Sequence, residues 1–294
     1  EEDREGWSHI TPLEGYYDVE IESGDRLVTL WFANYLDVEI PVFKYEDRNS
    51  NGVFDEGDVP LGDWYFELVR ESDGVTYSGY TDMYGMLVFA VNRSGIYYLT
   101  EEDRAGWSHI NPASGERMVS VTSGAEVPLQ MFGNFRDVTI WIFKYEDRNS
   151  NGEYDDGDVP LAGWSFTVTG PWAGSGSVVV TGTDGFASIV VNRSGLYTVT
   201  EEDRAGWTHT TCPVLDIFVW SSMQEEPLMF GNFKDVDITV FKFEDVNSNG
   251  MYDDGDRPIE GWLVTLCTYY HDEVFYAFTD ATGHAIFTLT YSDY

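Results

Sequence analysis

The chain repeats itself three times, and this self-similarity limits its fold more than any other feature. "EEDREGWSHI" at residue 1 returns as "EEDRAGWSHI" at 101 and "EEDRAGWTHT" at 201. "FKYEDRNSNG" begins at 43 and 143, and "FKFEDVNSNG" at 241, a period of 98–100 residues. Within a unit the apolar pattern has a period of two. Val138, Ile140, Ile142 and Lys144 alternate with Thr139, Trp141, Phe143 and Tyr145, which predicts a strand with one face buried and much of the other. Trp164, Phe166 and Val168 predict a second strand. Asp-Gly, Ser-Gly and Pro turn signals return roughly every 8–12 residues. The expected fold is all-β: tandem β-sandwich repeats of about 100 residues.

Charge narrows the function. Among 294 residues, 52 are acidic and 16 basic, for a net charge of −36. Nucleic acid needs clustered Lys and Arg, so it is not an expected partner. No run of about 18 apolar residues predicts membrane insertion. The residues include no nucleophile–base pair, phosphate loop or isolated carboxylate dyad, so an enzyme is not expected. An excess of carboxylates suits bound cations and an extracellular, saline medium.

The repeats are cut unevenly. Residues 36–135 and 136–233 are complete units, 234–294 is the N-terminal half of a unit, and 1–35 is the C-terminal half. Half a sandwich exposes apolar faces and open strand edges. One expectation is strand complementation, in which 235–294 is completed by residues 1–35 of the next identical subunit. Such a heterologous, head-to-tail contact builds a filament, stalk or pilus-like array. The alternative is a window of a longer surface adhesin that binds glycan or protein ligands, with "GPWAGSGSVVV" at 170–180 as the most distinctive stretch.

An acidic loop follows each Lys-bearing strand. "DRNSNGVFDEGD" places Asp47, Asn49, Asn51, Val53, Asp55 and Asp58 at positions 1, 3, 5, 7, 9 and 12, with Gly52 at 6. That is the EF-hand ligand spacing, with a backbone carbonyl at position 7. The second copy gives Asp147, Asn149, Asn151, Glu153, Asp155 and Asp158. The third gives Asp245, Asn247, Asn249, Met251, Asp253 and Asp256. Oxygen-only donors predict Ca²⁺. Solvated Asx-rich turns would read similarly in a single copy.

Lys44, Lys144 and Lys242 are three of only four lysines, and alternation places each on the core side. Asn134 and Asn232 lie in the closing strands, and Glu101 and Glu201 open the "EEDR" stretches. Lysine, asparagine and a proton-shuttling acid are the ingredients of an isopeptide bond, because burial favours neutral lysine and protonated glutamate. The expected trios are Lys44, Glu101, Asn134 and Lys144, Glu201, Asn232. Between chains the trio would be Lys242 with Glu1 and Asn34 of the next subunit. The same residues also suit a buried ion pair beside a structural asparagine.

The pattern "FKYEDRNSNGxxDxGDxPLxGW…TDxxGxxxF…GxYxVTEEDRxGW…FGNF" resembles the SdrD-like and Cna-type B domains of microbial surface proteins. The resemblance implies prealbumin-like, Ig-like β-sandwiches of adhesins, stalks and pili. It also implies calcium in the loop matching Asp47–Asp58. In the Cna-type branch, Lys and Asn at positions like Lys44 and Asn134 are joined with help from an acid like Glu101.

Three smaller features remain. Asn92 and Asn192 head glycosylation sequons at equivalent turns, where Asn, Ser and Gly also simply make a turn. Cys267 alternates away from Val264 and Leu266, and a disulfide with Cys212 or with another chain is open to it. His9, His109 and His209 follow the repeated Trp and are expected to stand alone as structural residues.

Overall fold

The alternating residues become strands in both full repeats. Val38–Glu46 and Val138–Glu146, the lysine strands, each run 9 residues. Val, Ile and aromatic side chains fill them, as suits a pleated surface buried on both faces. The computed structural model describes residues 1–25, 29–171, 173–224, 226–269 and 273–292, with backbone alone at 173–175. It divides into two units, residues 1–138 with 191–195 and 219–223, and residues 139–190, 196–218 and 224–294. Among the described residues every regular element is β.

In the first unit, one sheet has the order Val59–Pro60, Val38–Glu46, Gln130–Arg136, Trp107–Asn111, and Met86–Val91 also pairs with the lysine strand. The facing sheet has the order Glu116–Val121, Gly95–Glu101, Tyr65–Arg70, Thr76–Tyr80. Val38, Ile40, Val42 and Phe132 from the first sheet pack with Phe66, Leu68, Tyr97 and Leu99 from the second. This is the expected sandwich.

The lysine strand runs parallel to the closing strand Gln130–Arg136, with Phe132 opposite Lys44, Gly133 opposite Tyr45 and Asn134 opposite Glu46. Glycine is required at 133 by close approach, since a Cβ there would stand 2.6 Å from Tyr45 Cζ. The backbone of Lys44 is clamped on both sides. Its N–H donates to Gly85 O at 2.8 Å, and its carbonyl accepts from Leu61 N at 3.0 Å.

The second unit repeats the plan. Val159–Pro160, Val138–Glu146, Leu228–Lys234 and Trp207–His209 form one sheet, to which Phe186–Val191 adds. Ala173–Val180, Ser165–Gly170, Gly195–Glu201 and Val214–Val219 form the other. The distinctive stretch at 170–180 thus contributes a strand, while Trp172 lies outside the described residues.

The half-repeats form smaller pieces. Trp7–Thr11 pairs with Ala33–Leu36. Val236–Phe241 pairs with His284–Leu289, Phe243–Glu244 with Arg257–Pro258, and Leu263–Cys267 with Val274–Phe278. Lys242 keeps its backbone clamp, with N–H to Gly283 O at 2.8 Å and carbonyl to Ile259 N at 3.0 Å. Its core is open, however. Trp64 and Trp164 are 0% and 1% exposed, whereas the equivalent Trp262 is 51% exposed.

Candidate functional site

The predicted trio comes together in the first repeat, whereas in the second Lys144 meets Glu201 and Asn232 Oδ1 faces His209. Lys44 Nζ lies 2.7 Å from Glu101 Oε2, and both side chains are fully buried. Asn134 Nδ2 donates to the same oxygen at 3.1 Å, and Asn134 Oδ1 is buried with no hydrogen-bond partner. In the second repeat, Lys144 Nζ lies 3.3 Å from Glu201 Oε1 and donates to the carbonyls of Tyr145 and Phe230 at 3.2 and 3.0 Å. Trp64 and Trp164 floor the two sites, 4.4 and 4.6 Å from the lysine nitrogens.

Burial dominates the electrostatics. Desolvation lowers Lys44 and Lys144 to about 8, with the glutamates pulling the other way. Desolvation raises Glu101 and Glu201 above the ordinary carboxyl value, with the lysines opposing. In the first repeat an amine, a carboxyl and a primary amide thus meet in a fully buried site.

The third trio is distributed between the half-repeats. Asn34 Nδ2 donates to Glu1 Oε2 at 3.1 Å, but Asn34 is exposed where Asn134 and Asn232 are 0% and 1% exposed. Lys242 Nζ sits 4.9 Å over Trp262.

The histidines do not stand alone as expected. His209 Nδ1 lies 3.2 Å from Asn232 Oδ1 and 3.3 Å from Glu201 Oε2, and its Nε2 lies 3.0 Å from Asp203 Oδ1. His109 Nε2 lies 3.5 Å from Asp103 and 3.9 Å from Glu101. His9 Nε2 lies 3.5 Å from Glu1 and 3.6 Å from Asp3. Residue-by-residue reading missed this because a histidine after a tryptophan has no periodic signal. The repetition of "GW[ST]H" beside each glutamate was the available clue.

The acidic loops share one geometry. Asp47 Oδ1 accepts from Asn51 N at 3.1 Å and Oδ2 from Gly52 N at 2.7 Å. Asn51 Oδ1 accepts from Val53 N at 2.7 Å, and Asp58 Oδ1 from Arg48 N at 2.8 Å. The loops at Asp147–Asp158 and Asp245–Asp256 repeat these bonds. No group of three or more Asp, Glu, His or Cys side chains placed to hold a metal is found among the described residues. Asp47 is fully buried, and desolvation first, then the facing Asp58, push its carboxyl upward. In this geometry the Asp47 oxygens face the Asn51 and Gly52 N–H groups, and the Asn49 and Asn51 amides donate to Asp55 at 2.9 and 2.7 Å.

Asn92 and Asn192 are exposed in turns before Gly95–Glu101 and Gly195–Glu201. The Cys212–Cys267 disulfide is not formed: both thiols are free and exposed, and Cys212 Sγ turns to Val214 O at 3.0 Å. Cys267 ends a strand whose residues 263, 265 and 267 face solvent, as its alternation indicated.

Fold and site together define two all-β sandwich repeats, each with an acidic oxygen-rich loop and a buried Lys–Glu pair near an asparagine of the closing strand, flanked by half-repeats. No family model matches the chain. It is 22% identical over 247 residues to serine-aspartate repeat-containing protein F of Staphylococcus epidermidis, covering 76% of this chain and 15% of that protein. It is 22% identical over 291 residues to serine-aspartate repeat-containing protein D of Staphylococcus aureus strain Newman, covering 87% of this chain and 22% of that protein. The chain thus spans less than a quarter of the length of these relatives. The sequence is similar to SdrD-like repeats, as its motifs indicated. Among solved structures, the Bacillus anthracis TIE protein aligns with a TM-score of 0.36 at 18% identity, over 87% of this chain and 44% of that one.

Proposed function

We propose that this chain is an extracellular, cell-surface structural segment of a filament, stalk or pilus-like array rather than an enzyme. One observation carries the reading. In both full repeats the lysine strand lies beside the asparagine-bearing closing strand, and each half-repeat holds one member of that pair. Residues 235–292 carry Lys242 and an exposed Trp262, while residues 1–36 carry Glu1, Asn34 and the exposed Trp31 and Phe32. Completing the sandwich between copies buries both faces and yields a head-to-tail array.

Two chemistries rigidify it. In the full repeats, Lys44 joins Asn134 and Lys144 joins Asn232, each with loss of one ammonia, while Lys242 joins Asn34 of the next copy. The amine Nζ attacks the side-chain carbonyl carbon, and the glutamate moves the proton from Nζ to the departing Nδ2. Ca²⁺ is held by Asp47, Asn49, Asn51, Asp55 and Asp58 with the Val53 carbonyl, and by the equivalent residues of the other two loops. Asn92 and Asn192 are open to glycans.

Intact mass under denaturing, reducing conditions tests the reading. A ladder at multiples of the chain mass, lighter by one ammonia per bond, supports covalent head-to-tail assembly. Single chains lighter by two ammonias confine the bonds to the full repeats. Chains of unchanged mass overturn the crosslink and leave buried ion pairs.

A further inference from the structure

The histidine of each "GW[ST]H" stretch has a fixed place. His109 stands opposite Asn134, His209 opposite Asn232 and His9 opposite Asn34 in the antiparallel pairing with the closing strand. Directly opposed residues are neighbours on one face of the sheet, and in the second repeat ring and amide lie within hydrogen-bond range. Gly15 and Gly115 hold the ring from behind. A Cβ at either would stand 2.5 or 2.4 Å from the histidine Cε1, and both have left-handed φ, +75° and +70°.

The ring bridges interior and solvent. On the inner side are Glu101 or Glu201, buried with the lysine. On the outer side are Asp103 or Asp203, whose side chains are 98% and 97% exposed. In the second repeat the ring also reaches Asn232 Oδ1 at 3.2 Å. In the first, Asn134 Oδ1 is the buried oxygen without a partner.

We propose that His109, His209 and His9 are catalytic residues of crosslink formation, a role that rests on the crosslinking function proposed above. A ring N–H donates to the asparagine Oδ1, and the ring carries protons between the buried glutamate and the exposed aspartate. The neutral lysine forms the Nζ–Cγ bond, and the carbonyl electron pair moves onto Oδ1, where the histidine N–H stabilises it. The proton leaving Nζ passes through the glutamate to Nδ2, the Cγ–Nδ2 bond breaks, and ammonia departs. Amine plus amide gives amide plus ammonia, with no oxidant or further reactant. The relay acts before the attack: the proton of the lysine ammonium leaves through the glutamate and the histidine to the exposed aspartate and solvent, and the glutamate then takes one proton from Nζ, gives it to Nδ2 and ends as it began.

The test is a time course of ammonia loss after cell-free synthesis of the full chain, with peptide mapping of each bond. His209→Phe keeps the ring volume but has no donor, and His209→Gln keeps a donor but no relay. His209→Phe is expected to slow closure of Lys144–Asn232 on the order of 100-fold. His209→Gln should fall between it and wild type, and Lys44–Asn134 should close at the wild-type rate in the same molecules. Closure of Lys144–Asn232 at the wild-type rate in both variants overturns the histidine's role while the crosslink stands. If His209→Phe does not bury Trp164, read by its fluorescence, His209→Gln decides alone: slowed closure supports the role and wild-type closure overturns it. Absence of ammonia loss in the wild-type chain overturns the crosslink itself and with it this role.

Discussion

Lys44 Nζ and Glu101 Oε2 lie 2.7 Å apart with neither side chain exposed, and the contact joins the two sheets of one sandwich. Either group alone would be a buried, unpaired charge. The pair is tolerated because each neutralises the other and because Trp64 and Asn134 complete the enclosure.

Glu101→Gln removes the proton carrier and half of the ion pair. The variant should retain the ammonia of Asn134, read as one more ammonia in the intact mass once the Glu101→Gln change itself is allowed for. It should lose about 3–5 kcal/mol in thermal unfolding. Loss of stability with a wild-type mass would show that the glutamate only holds charge.

Unreacted chains should gain stability in alkali. In Asn134→Ala, burial keeps Lys44 near 8, so the native state releases a proton that the unfolded chain keeps up to 10.5. The lysine therefore costs stability below pH 8, and that cost fades between pH 8 and 10.5. Glu101, raised by burial, works in the opposite sense: its cost is present above its folded value and fades on acidification toward 4.5. Relative to Asn134→Ala/Lys44→Met/Glu101→Gln, Asn134→Ala should gain at most about 3 kcal/mol from pH 8 to 10.5. A flat difference across that window would mean that the lysine is not desolvated.

Calcium should raise the unfolding temperature, and a chelator should reverse it. A ligand at about 100 times its Kd adds about 2.7 kcal/mol per site. Native mass spectrometry should count one ion per loop, and Asp47→Ala should lose one. An unfolding curve indifferent to millimolar calcium would exclude cation binding by the loops.

The two equivalent tryptophans should respond differently to truncation. Trp164→Ala empties a filled core and should cost about 3–5 kcal/mol. Trp262→Ala removes a side chain already 51% exposed, so dilute protein should hardly change, while association measured by sedimentation should weaken. Equal destabilisation would mean that the half-repeat is already closed in dilute solution.

Gly133→Ala should destabilise by about 1–3 kcal/mol, because its Cβ would enter the space of Tyr45 2.6 Å from Cζ. Tyr45→Ala should relieve part of that penalty in a double-mutant cycle.

Much of this was legible in the sequence. Period-two alternation placed Lys44 on the core side, and three matched loops placed Asp47 to Asp58. These are local patterns, repeated by covalent order, so they survive without coordinates. The histidines were not legible. His109 reaches the site through cross-strand register with Asn134, 25 residues away, and through the space left by Gly115. Alternation also placed Cys267 outward, but whether it meets Cys212 depends on the fold, which leaves both thiols free and exposed.

The sequence by itself determined the repeat, the strands, the acidic loops and which residue types recur together. Only the tertiary structure decided which of them lose water and touch. Lys44 and Lys144 are fully buried, while Trp262 in an equivalent stretch is half exposed, because burial depends on whether a closing strand is present alongside. Sequence spacing sets which face a residue occupies. Desolvation, and with it the shifted charge that gives these sites their chemistry, comes from strands brought together across the fold.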